Sequence, residues 1–236
     1  MKTIGKVEGI AYTLFRKRNC KNITLRVLAD GSVRVSAPHT ISLASIERVI
    51  ARNHVKLGQT IERQKKENEP FVHTWKDGDS FLFCGSMCPL VIVIADRDTI
   101  DFVDNRFYLT YTGKHPTEKE VCVQIKEIFR ATAKNRIAKE ILFWAEKLNL
   151  TPPPFSIRDA KRRWGSCSAN GTLSFSLRSA SLDEGDLSYL VLHEMAHLVY
   201  FDHGKDFHAF LDIHLKDWKI HQKHMFSLQR ITALSI

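Results

Sequence analysis

Residues 187–203 read L-S-Y-L-V-L-H-E-M-A-H-L-V-Y-F-D-H, and the spacing of His193, Glu194 and His197 within them decides the fold. On an α-helix each residue turns the chain by about 100°, so residues four apart share a face. His193 and His197 can then aim their imidazoles at one point, with Glu194 bordering the same face. Neutral imidazole is a good zinc ligand, and a carboxylate beside a metal can take a proton from water. H-E-x-x-H on a helix is the arrangement of a zinc hydrolase. With 11 His and 12 Glu in 236 residues, the pattern arises somewhere by chance in only about 3% of such chains. From Leu187 to Phe201 the other positions are almost all apolar around the whole circumference, which predicts a buried helix. Two histidines and a glutamate buried there need compensation, and a metal supplies it.

A catalytic zinc takes a third protein ligand and keeps one position open. No glutamate follows Glu194, so a ligand of that type from a later helix is excluded. His203 is the best candidate: Gly204 beside it lets the chain turn sharply and bring the imidazole back. His208 and Asp202 are the alternatives. Beyond the turn, Asp206 is placed to cap a helix bearing Phe207, Phe210, Leu211, His214 and Trp218 on one face. His221 and His224, further on, read as packing or surface residues.

The flanking chain reads as alternating β and α segments. Ile10–Leu14, Ile23–Val27 and Val33–Ser36 are expected strands, with Asp30-Gly31 as a hairpin turn. A single helix is expected from Leu43 to Gln64, with Ser42 at its N-cap, and a linker at Lys65–Pro70. Four short strands follow at Ser80–Cys84, Leu90–Ala95, Ile100–Val103 and Phe107–Tyr111. Thr117 and Glu120 have capping-box spacing and open a long helix that ends near Asn149. Then come Phe155–Arg158, the run Lys161-Arg162-Arg163-Trp164-Gly165-Ser166-Cys167-Ser168, and an Asn170-Gly171 turn into Leu173–Leu177. Ser181 and Glu184 form a second capping-box pattern ahead of the H-E-x-x-H helix. Trp164 to Cys167 reads as a packed corner beneath the site, and Cys167 as a small packed residue rather than a nucleophile. Cys84 and Cys88 read as buried free thiols.

The composition is that of an ordinary soluble globular domain, with 44% hydrophobic and 26% charged residues. No apolar run reaches a membrane span, and the N-terminus lacks an apolar signal core. Five cysteines without a C-x-x-C point to a reducing cytoplasm. The charge of +9 is concentrated in residues 1–66, with 14 Lys/Arg against 4 Asp/Glu. That third is a candidate nucleic-acid surface, and a solvated basic face is its simpler reading.

R-W-G-S-C-S at Arg163–Ser168, L-S-F at Leu173–Phe175, the H-E-M-A-H helix and D-H-G-K-D-F at Asp202–Phe207 resemble the YgjP-like metallopeptidases, related to SprT-type zinc proteases. The resemblance continues upstream into Thr24–Val27, Asp30-Gly31 and Val33–Pro38. Departures fall at Asp202 and Gly204, where the family usually has Asn and Ser, and at His208, where Trp is common. The resemblance implies His193, His197 and His203 as zinc ligands and Glu194 as the catalytic residue. The expected architecture is α+β: a basic β-hairpin and helix region at 1–66, a small antiparallel β region at 71–115, and a minimal zincin-like core at 116–236. The expected chemistry is peptide hydrolysis on a protein or peptide substrate. Tyr200, Arg163 and His208 are candidates for oxyanion stabilisation or for support behind the ligands, and the Leu173–Leu177 strand is the expected docking edge for substrate. The rival readings are a metal-dependent hydrolase of non-peptide amides and a nucleic-acid-binding protein with a structural zinc.

Overall fold

The computed structural model describes residues 2–235 except 19, 29, 69, 70 and 72, with the side chains of residue 2 and of 229–235 also outside the description. Asn19 of the basic connection, Ala29 of the first turn and Glu69-Pro70 of the expected linker therefore lie outside the described residues. The chain is a mixed α+β protein and divides into two compact units, Met1–Pro70 and Phe71–Ile236. Among the described residues, no helix is long and apolar enough to cross a membrane.

The first unit contains strands β1 (Lys2–Val7), β2 (Ile10–Lys17), β3 (Thr24–Val27) and β4 (Val33–Pro38), in sheet order β1-β2-β4-β3. β1 was not foreseen. It forms a hairpin with β2 through Glu8-Gly9, both at positive φ, and glutamate is not a residue that signals such a turn. The single expected helix is two, α1 (Leu43–Arg52) and α2 (His54–Asn68). Asn53 breaks it by leaving helical geometry and bonding its side-chain amide back to the Val49 carbonyl (2.8 Å). α2 also runs through Lys65–Asn68, where a linker was expected.

The second unit begins with β5 (Ser80–Phe83), β6 (Ser86–Ile94), β7 (Thr99–Val103) and β8 (Arg106–Tyr111), ordered β5-β6-β8-β7. The central pair β6–β8 is parallel, so the sheet is mixed rather than antiparallel throughout. Strand order, strand directions and the two-residue turn at positive φ between the first two strands (Cys84-Gly85) repeat those of the first unit. α3 (Glu118–Leu148) follows, opened by the expected Thr117–Glu120 capping box. Its residues Val121, Ile125, Phe129, Ala133, Ile137, Ile141 and Trp144 are buried in one core with Phe81, Phe83 and Phe107 of the sheet.

The same core extends into the rest of this unit. β9 (Phe155–Arg158), β10 (Gly165–Cys167) and β11 (Leu173–Ser176) form a sheet of order β10-β11-β9. A 3₁₀ turn at Leu177–Ser181 leads into α4 (Glu184–Ala196), followed by α5 (Lys205–His214) and α6 (Trp218–Ser235). The α4 cap is Asp183, which accepts the Asp186 N–H (2.8 Å), and not Ser181, which is buried in the 3₁₀ turn. The turn is held from outside: Cys84 and Gly85 donate their N–H groups to the Ala180 and Ser181 carbonyls, and Arg136 donates to that of Leu182 (2.7 Å). The start of α4 is thus set by the β5–β6 turn and α3. Cys88 is buried as expected, while Cys84 at this turn is exposed.

Asp186, fully buried in the first turn of α4, accepts from His221 Nδ1 (2.8 Å) and His224 Nδ1 (2.6 Å) of α6. Gly185 lets the helices meet there, since a Cβ would stand 2.4 Å from His221. Asp186→Ala is expected to destabilise the protein by about 3 kcal/mol, because it strips a buried polar network of its acceptor. Denaturant unfolding followed by circular dichroism measures the loss.

Candidate metal centre

α4 ends at Ala196, earlier than its apolar sequence suggests, and His197 is the C-cap in helical geometry (φ −68°, ψ −11°). The i, i+4 relation to His193 survives, but Val199 and Phe201 are exposed, at 54% and 86%. The expectation of burial through Phe201 therefore fails beyond the cap, because the chain leaves the helix where the core ends. Asp202 makes the following turn, its Oδ1 accepting the Gly204 N–H (3.0 Å). Gly204 has an ordinary φ of −70° and is itself the N-cap of α5. Its lack of a side chain serves close packing instead, a Cβ there standing 2.8 Å from Asp202 Oδ1. Asp206 sits inside the first turn rather than capping it.

This turn brings His203 back to α4. The ligand-type nitrogens of His193, His197 and His203 all lie within 4.8 Å of one another, and the Nε2 atoms of His193 and His203 are 3.1 Å apart. Two ring nitrogens that close need a shared proton or a cation between them. His197 Nδ1 faces the Tyr200 carbonyl at 2.9 Å. A carbonyl only accepts, so Nδ1 carries the proton and Nε2 of the neutral ring keeps its lone pair. His193 Nδ1 is likewise met by the Tyr189 hydroxyl at 3.2 Å. Such partners behind the ring orient a metal-binding imidazole. Burial, reinforced by His197, His203 and His208, pushes His193 down to about 3, and His203 is also lowered, first by burial. Both imidazoles are thus neutral donors near neutrality. Tetrahedral ligands at the usual Zn–N length of ~2.0–2.1 Å stand roughly 3.3 Å apart. The donor set and its spacing fit such an ion.

Glu194 is 5% exposed, and burial pushes its carboxyl up to about 7, with Arg163 pulling the other way. It shares a cleft of about 420 Å³ with His193, walled by Trp164, Tyr189, Met225 and Phe226. Gly165 on β10 lies directly against it: a Cβ there would stand 2.6 Å from Glu194 Oε1. Gly165→Ala is therefore expected to displace the carboxylate and lower kcat/KM about a hundredfold, the effect of a misplacement near 1 Å. Steady-state kinetics on a peptide, with zinc content measured in parallel, tests this.

The remaining candidates separate. The Tyr200 ring packs on Phe210 (5.6 Å), so its contribution to the site is the carbonyl that holds His197. His208 stands beside the three histidines with its ring stacked on Trp218 (5.3 Å). Arg163 is the cation whose charge reaches Glu194. Trp164 is a packed corner, 8% exposed and donating Nε1–H to the Met225 carbonyl (3.2 Å). Burial, followed by the charge of Glu194, raises the Cys167 thiol, which disfavours its thiolate form. β11 lies between β9 and β10, so Leu173–Ser176 has no free edge for a substrate. Tyr189 and Gly165, which the structure sets against His193 and Glu194, are not among the residues the sequence reading singles out for the site. Tyr189 was signalled by its place four residues before His193.

The sequence model for the YgjP-like metallopeptidase domain matches residues 21–227. No curated protein and no solved structure matches the chain. A metallopeptidase domain implies a hydrolase that works with a divalent metal on protein or peptide substrates. The chain belongs to the YgjP-like metallopeptidase family.

Proposed function

We propose that the protein is a zinc-dependent endopeptidase in which His193, His197 and His203 hold the ion and Glu194 is the general base. The observation that carries this reading is the convergence of three imidazoles, one of which, His193, shares a cleft with the buried carboxylate of Glu194. When bound, zinc supplies Lewis acidity and lowers the pKa of a bound water toward ~7. Glu194 accepts a proton from the attacking water and returns it to the leaving amine. Its pKa of about 7, set by burial with Arg163 opposing, suits a base working near neutrality. Arg163 is our candidate for balancing negative charge that develops on the substrate. The substrate lies extended along β10, whose one neighbour among the described strands is β11.

Denatured casein, incubated with the zinc-loaded protein, is expected to be cut internally. Chelation should abolish the cleavage and added zinc should restore it. Turnover of small amides with no cleavage of any unfolded protein would instead establish a non-peptide hydrolase.

A further inference from the structure

Beside the catalytic cleft lies a second groove, of about 590 Å³, that the proposed mechanism does not use. Its floor is one face of the β10-β11-β9 sheet. Ser166, Ser174 and Ser156 are register partners across the three strands and form a row of hydroxyls. The Ser156 Oγ is buried beneath this face and has no hydrogen-bond partner, while Ser166 and Ser174 are partly exposed. Arg158, Lys161, Arg162 and Arg163, all exposed, form the wall, and no carboxylate of a described residue lines the groove.

The wall is built rather than fortuitous. Ser176 Oγ donates to the Ala160 carbonyl (2.8 Å) and Arg178 Nη1 donates to the same oxygen (3.2 Å), which pins the loop carrying the cations to the end of the sheet. Asp159, the acid within that loop, is committed elsewhere, to Arg178 (2.7 Å) and Lys126 (3.0 Å). It does not cancel the positive field.

The groove adjoins the cleft across β10, since Trp164 and Gly165 line both. We propose that it is a specificity subsite that binds acidic side chains of the peptide substrate, within a few residues of the scissile bond. This rests on the peptidase reading above. A peptide along β10 sends alternate side chains to opposite faces. Those on the serine face meet the cationic wall, where carboxylates gain charge-assisted hydrogen bonds from the arginines and from the hydroxyls of the floor. A single-stranded nucleic acid fits less well. Such sites combine cations with exposed aromatic platforms, and the aromatics bordering this groove, Trp164 and Phe175, are buried at 8% and 1% exposure.

The test is binding by the full chain carrying Glu194→Gln, loaded with zinc and followed by fluorescence anisotropy. The probes are a dye-labelled peptide bearing a Glu/Asp cluster, its Gln/Asn and Lys isologues, and a single-stranded oligonucleotide of equal charge. The acidic peptide is expected to bind about tenfold tighter than the Gln/Asn isologue, the size that two partly screened ion pairs supply. Adding Arg158→Glu, Lys161→Glu and Arg162→Glu, which leaves Arg163 as the one cation of the wall against three carboxylates, should invert the preference toward the Lys isologue, an outcome that misfolding cannot produce. Equal affinities for the acidic and Gln/Asn peptides would overturn the proposal. So would a preference unchanged by the charge reversal, or tighter binding of the oligonucleotide. Cleavage by the wild-type protein is scored separately. If the binding pattern holds and no peptide is cut, the groove assignment stands and the peptidase reading falls.

Discussion

Replacing Glu194 by Gln is expected to lower kcat by about a thousandfold, within the 10²–10⁴ range of a positioned general base, while zinc content stays at the wild-type level. Gln has the same shape and fits the same 5%-exposed site. It cannot accept a proton, so the step assigned to Glu194 is lost while the walls of the cleft remain. Glu194 is also outside the group of nitrogens that converge among His193, His197 and His203, so the metal has no reason to leave. Thermal stability should not fall, because the variant removes a carboxylate that burial disfavours in its charged form. Kinetics on an unfolded protein substrate, metal analysis and melting curves together decide the matter. A variant retaining activity within about tenfold of wild type would remove Glu194 from the role of general base.

α4 was legible because one short stretch combined an apolar sequence with two histidines at helical spacing. Its end was not. The sequence stays apolar through Phe201, yet the helix stops at Ala196, since helix length here is set by where α5 packs back and not by hydrophobicity. The cap was misplaced by two residues for a related reason. Ser181 and Glu184 satisfy a local pattern, but tertiary hydrogen bonds from Cys84, Gly85 and Arg136 hold the 3₁₀ turn at Leu177–Ser181 and its C-cap Leu182, and leave Asp183 as the cap of α4.

The sheet around β11 shows the limit more sharply. The Asn170-Gly171 hairpin was readable, and β10 and β11 do pair across it. The parallel pairing of β11 with β9 depends on a connection that carries no local signal, and it moves β11 from the edge to the centre. In the proposed mode of substrate binding the docking edge therefore passes to β10. This change also explains the glycine of W-G-S-C, since β10 runs against Glu194 so closely that Gly165 has no room for a Cβ. The acceptor role of Asp186 toward His221 and His224 was hidden in the same way, by separations of 35 and 38 positions along the chain.

His203→Ala is expected to weaken zinc binding by more than about a hundredfold, since loss of even an outer partner of a ligand costs 10–100-fold. The effect should separate cleanly from folding. His203 is exposed and lies in the turn before α5, so the metal-free variant is expected to melt within about 0.5 kcal/mol of the metal-free wild type, as for other surface replacements. In the zinc-loaded state the wild type alone gains the stabilisation that a tightly bound ligand confers on the folded form. His208→Ala is the matched control. That ring is stacked on Trp218 and stands outside the group of converging nitrogens, so its loss should cost packing while zinc remains. Competition with a chromophoric chelator gives both affinities on one scale. Full zinc retention by His203→Ala, with loss in His208→Ala, would transfer the third ligand to His208. It would also mean that the 3.1 Å approach of His203 to His193 is held by a shared proton rather than a cation.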